Sequence, residues 1–305
     1  MKALVSQAFV AAALVAVVNP APALAQARRA PNTDQTLQVS RGSQLFVNNF
    51  AGEVVVHAWD RNEVRVLAHH NSRVRVSLRQ EQNTVRINSS SSSGTTSVDY
   101  DITVPAWMPV RVSGPFNYVE IDGVEADIAA ETVRGDVRVK GGSGVVTLKS
   151  IEGEVYAEDT KGRLSVSSVN EGVTLLRPSG EVSAETINGE ITITDAKATS
   201  VEATTVNGDV RYTGTIADNG LYRLTTHQGD IVVGVPDKLD ATVSVRTYQG
   251  EFRSSFVVNA GETRRGRRQT FTLGRGTAQI ELESFGGEIR LRKMSEIPPL
   301  RERKR

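Results

Sequence analysis

Apolar and polar residues alternate with a period of two along most of this chain, and beyond the first twenty residues no helical period replaces that alternation. The alternation starts at Leu37 and Val39 and continues through Leu45, Val47, Val54 and Val56. Short runs follow at Val64-Arg-Val66, Val74-Arg-Val-Ser-Leu78, Val85-Arg-Ile87 and Val98-Asp-Tyr-Asp-Ile-Thr-Val104. Runs of that length with one polar face predict an antiparallel meander that is wet on one side. The tract from Ser89 to Ser97 holds no apolar residue and reads as a loop tip. Pro105 and Pro109 bracket Trp107 and mark a break, since proline donates nothing to a sheet ladder.

From about Gly123 to about Ile289 a short unit recurs: apolar-x-Gly-acidic-apolar-x-apolar. Its copies include Val133-Arg-Gly-Asp-Val-Arg-Val139, Ile151-Glu-Gly-Glu-Val-Tyr-Ala157, Ile187-Asn-Gly-Glu-Ile-Thr-Ile193 and Val206-Asn-Gly-Asp-Val-Arg-Tyr212. Gly135, Gly144, Gly153, Gly162, Gly172, Gly180 and Gly189 are spaced 9, 9, 9, 10, 8 and 9 residues apart, and Gly208, Gly229 and Gly250 follow at 19, 21 and 21. Nine residues hold a strand of about five and a corner of about four. Glycine suits the corner because it accepts positive φ without steric cost, and Asn188 and Asn207 make Asn-Gly turn signals. The second and fourth residues after glycine face inward, as in the pairs Val137 and Val139, Val146 and Leu148, Leu164 and Val166, Ile191 and Ile193.

A fixed period means stacked units that bury a face against their neighbours. An up-and-down antiparallel sheet would satisfy the same short runs. The change of spacing from about 9 to about 20 favours coils, because it reads as one glycine corner per coil instead of two. The expected fold is therefore all-β, a single-chain, parallel β-helix-like β-solenoid preceded by a short antiparallel β meander. Eight to ten coils at about 4.8 Å would make a rod on the order of 40 to 45 Å long. In the copy Glu185–Asp195, corner and core requirements absorb the glycine, the asparagine and the isoleucines, leaving Glu190, Thr192 and Thr194 as the outward positions.

The remaining segments follow from composition. Lys2, the apolar run Ala3–Val18, Pro20 and Ala23-Leu-Ala25 form a secretory signal peptide over 1–25, with cleavage expected after Ala25. Residues 26–36 read as a flexible lead-in, 37–115 as the antiparallel cap, 116–292 as solenoid repeats and 293–305 as a disordered basic tail. The segment Phe256–Leu291, with Phe271, Leu273, Ile280 and Leu282, is expected to close the second open end of the solenoid. There is no cysteine, so neither a lipidated N-terminus nor a disulfide framework is available. The expected location is exported, periplasmic or extracellular. Net charge is only +1. From Glu120 to Asp209 there are 17 acidic and 8 basic residues, and from Gly261 to Arg305 there are 12 basic and 6 acidic ones.

Three features together resemble the bacterial putative-adhesin family of β-strand-repeat domains of unknown function. They are Gly52-Glu-Val-Val-Val56, Ile102-Thr-Val-Pro105 and the recurring Thr-x-x-Gly-Glu/Asp-Val/Ile units, spread over Leu37 to Arg292. The resemblance implies an exported or envelope-associated β-solenoid and supplies no catalytic residue to carry over.

Candidate chemistry is sparse. His57, His69, His70 and His227 do not cluster in sequence, and adjacent His69 and His70 point to opposite faces of a strand. Gly141-Gly-Ser-Gly144 starts like a calcium-binding nonapeptide but has Val146 at its aspartate position. The acid after glycine recurs, and stacked on one face Asp136, Glu154, Glu190 and Asp209 would repel one another unless a cation or a base compensated them. Arg138, Arg211, Arg253 and Arg290, each two positions beyond such an acid, supply the base. Asp99 and Asp101 share a strand face, and paired carboxylates can hydrolyse glycosides. Arg264, Arg265, Arg267, Arg268, Arg301, Arg303, Lys304 and Arg305 form a basic set suited to an anionic membrane or polymer surface. The expected function is a non-enzymatic structural, adhesin-like or binding module at the cell envelope, with no cofactor. The expected partner is an envelope protein or polysaccharide, and no nucleic acid. The alternative is a carbohydrate-active β-helix enzyme.

Overall fold

Each regular coil of the protein is two strands and eighteen residues, so the nine-residue rhythm is half a turn. In one sheet, which we call the front sheet, Val137 lies beside Val155, Val155 beside Val173 and Val173 beside Ile191, all in parallel register. In the back sheet Ile128, Val146, Leu164 and Val182 stack in the same way. Later coils lengthen: Ile191 pairs with Val210, and Val210 with Ile231. The long strand Ile191–Asn207 turns the corner between the sheets and belongs to both.

The two sheets face each other across a core of alternate side chains. Val137, Val139, Val155 and Ala157 come from the front, and Val146, Leu148, Leu164 and Val166 from the back, all buried. β-Branched residues fit such a pleated surface, and each fully buried Val, Leu or Ile contributes about 1.5–3 kcal/mol. This computed structural model describes residues 32–92, 94, 96–257 and 268–297, all within one compact unit, Pro31–Arg305. The signal-peptide segment 1–25 and the bases Arg264, Arg265, Arg267, Arg301, Arg303, Lys304 and Arg305 lie outside the described residues. No helix among the described residues is long and apolar enough to cross a membrane.

Gly135, Gly144, Gly162 and Gly180 take the positive φ expected at a corner, but at Gly153 and Gly189 glycine is required for another reason. Gly153 and Gly189 are not in the positive-φ region. A Cβ on Gly153 would sit 2.1 Å from the carbonyl oxygen of Gly135, and one on Gly189 would sit 2.1 Å from that of Glu171. At these two positions the coil before lies too close for a side chain, although Glu171 holds the equivalent place in the coil between them. A buried hydroxyl three or four residues before the glycine ties each corner to the coil before it. Ser150 Oγ donates to Gly135 O at 2.9 Å, Thr186 Oγ1 to Glu171 O at 2.9 Å, Thr205 Oγ1 to Gly189 O at 3.0 Å and Thr226 Oγ1 to Gly208 O at 2.8 Å. Thr186, Thr205 and Thr226 are the threonines of the Thr-x-x-Gly units, and Ser150 holds the same place in its own. At the N-terminal end buried amides take over: Asn49 Nδ2 donates to Asn117 Oδ1 at 3.0 Å, and Asn117 Nδ2 to Asn49 O at 2.8 Å.

The ends depart from the expected layout. Parallel stacking begins at Gln44, not at 116: strand Gln44–Asn48 pairs in parallel with Val110–Gly114, and Ala51–Trp59 with Phe116–Val124. The expected antiparallel pairs exist, but as additions to that stack. Val74–Glu81 pairs with Thr84–Ser91, Glu63–His69 with Asp99–Pro105, and Thr33–Gln38 with Glu63–His69. That last pairing makes a strand of residues expected as lead-in, because Leu37 lies beside Val64 and shares its apolar side. The coil Gln44–Trp59 therefore sits inside the stack, between Thr84–Ser91 with Asp99–Pro105 on one side and the coil Val110–Val124 on the other.

The C-terminal end mirrors this arrangement. Ala278–Ser284 inserts between Leu221–Gln228 and Ala241–Thr247, and Ile289–Lys293 inserts between Ile231–Val235 and Phe252–Ser254. Ile280 and Leu282, expected in a cap, are core residues of an internal coil, while Gln269–Leu273 is the antiparallel flank. Of the tail expected from residue 293, residues 293–297 are ordered and the rest lies outside the described residues. Strand Ile289–Lys293 leads into a short 3-10 turn, Met294–Glu296, and Ile297 packs over Gly234, where a Cβ would sit 2.1 Å from its Cδ1.

Candidate functional site: an apolar corner

The acids that follow glycine form an ion-pair ladder on the front sheet. Arg138 reaches Asp136 at 3.5 Å and Glu154 of the next coil at 3.9 Å. Arg211 reaches Asp209 at 3.0 Å and Glu190 of the preceding coil at 2.8 Å. Arg253 joins Glu251 and Glu288, and Arg290 joins Glu288 and Asp230. The Arg290 guanidinium holds the Glu288 carboxyl below its ordinary value. The aspartates also serve the backbone, since Asp136 Oδ1 accepts from Glu154 N–H at 3.0 Å and Asp209 Oδ1 from Asp230 N–H at 2.9 Å. Arginine supplies the compensation that a cation would otherwise have to supply at Asp136, Glu154, Glu190 and Asp209. Among the described residues no group of three or more His, Asp or Glu is placed to hold a metal ion.

The other candidates disperse. Asp99 Oδ1 accepts from Glu53 N–H at 2.9 Å, which makes it part of the coil-to-coil ladder and not half of a free carboxylate pair. His70 bonds Thr33 Oγ1 at 2.9 Å, and His227 stacks on Phe285. Arg268 lines a 270 Å³ depression on the back sheet with Arg223, Arg246, Glu281 and Glu283, where Arg223 pairs with Glu281 at 3.0 Å and Arg246 with Glu283 at 3.7 Å.

What the structure adds is an exposed apolar column along one corner. Period two places Ile128, Ala130 and Thr132 inward, so the next residue, Val133, must face out. The same parity after Val182, Ala184 and Thr186 turns Ile187 outward, so Glu190, Thr192 and Thr194 are not the unit's only outward positions. Val133, Ile151 and Ile187 are each 43% exposed and Val206 is 40% exposed. With half-buried Val169 they stack coil upon coil, and Val133, Ile151, Val169 and Ile187 lie in a groove of about 620 Å³ lined also by Glu131, Lys149 and Glu185, with the Arg134–Glu152 ion pair (2.7 Å) directly after Val133 and Ile151. Aromatic residues occupy both ends of the column. Phe50 and Phe116 meet edge to face at 5.4 Å. At the other end His227 stacks on Phe285 at 4.8 Å, and Phe285 lies 5.1 Å from Tyr248.

The corner carbonyls are engaged between coils. Val133 O accepts from both Ile151 N–H and Glu152 N–H, Ile151 O from Asn170 N–H, Val169 O from Asn188 N–H and Ile187 O from Asn207 N–H. A second column flanks the apolar one: Asn188 Nδ2 donates to Asn170 Oδ1 at 3.2 Å and Asn207 Nδ2 to Asn188 Oδ1 at 2.9 Å. The corner carbonyls of this surface are thus spent within the stack. Contiguous apolar exposure of this kind marks interaction surfaces. Its signal in the sequence is the apolar residue directly after each corner Thr or Ser.

Residues 42–292 match the sequence model of the family described as Toastrack DUF4097. Among proteins of curated function none matches the chain. Solved structures with a similar course include a putative adhesin from Bacteroides fragilis, 12% identical over 85% of this chain and 96% of that one, at a TM-score of 0.42. A putative lipid binding protein from Parabacteroides distasonis is 14% identical over 86% of this chain and 98% of that one, also at 0.42. A putative cell adhesion protein from Clostridium sporogenes is 10% identical over 86% and 99%, at 0.18. At these scores the three likenesses carry no weight for function.

Proposed function

The chain belongs to the Toastrack DUF4097 family, and on that footing we propose that it is an exported, non-enzymatic binding module of the cell envelope which holds an extended partner along its apolar corner. The observation that carries the reading is the column itself. One outward apolar residue per coil, repeated from Phe50 and Phe116 to Tyr248, makes a line of contact and not a pocket. A rigid two-sheet rod suits that task, because recognition along a line needs fixed spacing between contacts. The non-enzymatic part of the reading is supported by the commitment of Asp99 and of the glycine-following acids to backbone and arginine partners.

The test is retention of the purified chain on the isolated envelope fraction of the producing cell. The variant Ile151→Ser/Ile187→Ser/Val206→Ser removes apolar surface without entering the core, so its thermal midpoint should stay near that of the parent. Retention should fall by more than tenfold. Unchanged retention would overturn the reading.

A further inference from the structure

Independently of the apolar corner, we infer that the chain self-associates through its N-terminal coils, the acidic front of one copy lying against the basic back of the next. Three coils are involved. Their front strands are Ala51–Trp59, Asp99–Pro105 and Phe116–Val124, and their back strands are Gln44–Asn48, Thr84–Ser91 and Val110–Gly114. Buried Val54, Ile102 and Val119 fix the parity of the front strands. Glu53, Asp99, Asp101, Glu120 and Asp122 therefore face out, with no lysine or arginine at the outward positions of those strands. On the back of the same coils the outward charges are Arg86 and Arg111, with no acid. The flanking strand Val74–Glu81 adds Arg75, Arg79 and one acid, Glu81, to the basic face. The front flank Glu63–His69 adds Glu63 and Arg65, the latter paired with Asp34 at 2.9 Å.

Elsewhere the chain compensates its own charges. The register row that holds Arg138, Arg211 and Arg290 in later coils holds Glu120, Val55 and Asp101 here. On the back, Arg79 lies directly opposite Arg86, a like-charge pair that is unfavourable until a carboxylate joins it. Arg86 has a 3.7 Å contact with Glu81 and lies 5.1 Å over the ring of Phe46, and Arg111 is 3.9 Å from Glu131 of the next strand. At the C-terminal end both faces are balanced. There Arg223 and Arg246 pair with Glu281 and Glu283 on the back, and Arg253 and Arg290 with Glu251, Glu288 and Asp230 on the front. The two N-terminal faces are opposite sides of the same coils, so their charges share one strand spacing of about 4.8 Å. A copy displaced along the normal to the sheets brings its basic back over the acidic front. A two-fold partner would press acid on acid or base on base, so the contact is heterologous and open-ended. An anionic polymer would answer the basic face alone, whereas a second copy answers both.

The experiment is sedimentation velocity of the exported chain over a range of concentrations. It is run in about 0.01 M salt, where charges act over about 30 Å, and in about 1 M salt, where they act over about 3 Å. At low salt the sedimentation coefficient should rise with concentration, and at high salt the chain should sediment as a single copy. Arg79→Ser/Arg86→Ser and Glu53→Gln/Asp122→Asn alter exposed side chains only. Each should weaken the association more than tenfold while the thermal midpoint stays near that of the parent. Mixed in equal amounts, the two variants should pair and stop at two, because together they keep one intact acidic face and one intact basic face. The corner variant Ile151→Ser/Ile187→Ser/Val206→Ser should associate as the parent does, which separates this contact from the one at the apolar corner. A parent chain that stays single at low salt would overturn the inference, as would association that survives about 1 M salt. So would variants that fail to pair when mixed, or loss of association in the corner variant. A chain that stays single but binds phosphatidylglycerol vesicles through Arg79 and Arg86 would assign the basic face to an anionic surface and overturn self-association.

Discussion

The middle of the solenoid and its two ends are built from the same strands under opposite rules. In the middle each strand pairs with the strand eighteen residues away, as Val137 does with Val155 and Val155 with Val173. At the C-terminal end Ile231 pairs with Ile289, across the excursion that forms Ala241–Thr247 and Phe252–Ser254. At the N-terminal end Leu45 pairs with Val110 and also with Val85. Repeats that touch only their neighbours can fray from an open end. Inserting the first and last coils of the chain inside the stack removes that freedom, because neither can leave without breaking four parallel ladders. The antiparallel flanks then cover the coils that are left outermost, which blunts edges that would otherwise template unwanted pairing.

The largest expected effect comes from breaking the ends and middle separately. A chain stopped after Thr277 loses the internal coil Ala278–Lys293, and circular dichroism should show no cooperative unfolding transition. An in-register deletion of residues 153–170 removes one whole regular coil and joins equivalent positions, so it should keep one cooperative transition. If the stopped chain unfolds cooperatively and the shortened one does not, the distinction between ends and middle is wrong.

Within the middle, the inward and outward isoleucines of one unit should separate clearly. Ile191→Ala opens a cavity in the core and should cost about 2–5 kcal/mol, whereas Ile187→Ala, on the exposed corner, should cost under about 1 kcal/mol. Equal costs in chemical denaturation would mean that the corner column is core after all. A smaller effect is expected for Thr186→Val, which keeps the shape but leaves Glu171 O without its hydroxyl donor, at about 1 kcal/mol.

The smallest effect is electrostatic. Hydrogen bonding from Arg177 holds the Asp159 carboxyl below its ordinary 3.8, and Arg290 holds Glu288 below 4.5. A depressed carboxyl contributes stability that is fully present above its unfolded value and is lost as pH falls through the folded one. The denaturation midpoint should therefore stay level from pH 7 to about 5 and decline only below about 4.5. A decline that began above pH 6 would point to other groups.

Much of this was legible before the structure. The glycine spacing, the inward pairs such as Ile191 and Ile193, and the arginines two residues past the acids all follow from the sequence and hold in the fold. The apolar corner was missed for a specific reason. Isoleucine at 187 looks like core until the parity running from Val182 through Ala184 and Thr186 is counted, and the corner then resets that parity before Ile191. The φ argument for glycine holds at Gly135, Gly144, Gly162 and Gly180, whereas at Gly153 and Gly189 it is contact with the coil before that excludes a side chain.

The sequence by itself determined the strand class, the half-coil length and which residues of each strand face inward. All three are local, since the pleat alternates side chains every residue and the corner needs glycine at a set interval. Only the tertiary structure decided the order of the coils at the ends, and with it the internal places of Gln44–Trp59 and Ala278–Lys293. Alternation states which face of a strand is apolar but not which other apolar strand will cover its edge. At the ends several edges were chemically equivalent, and the packing of the whole stack chose among them.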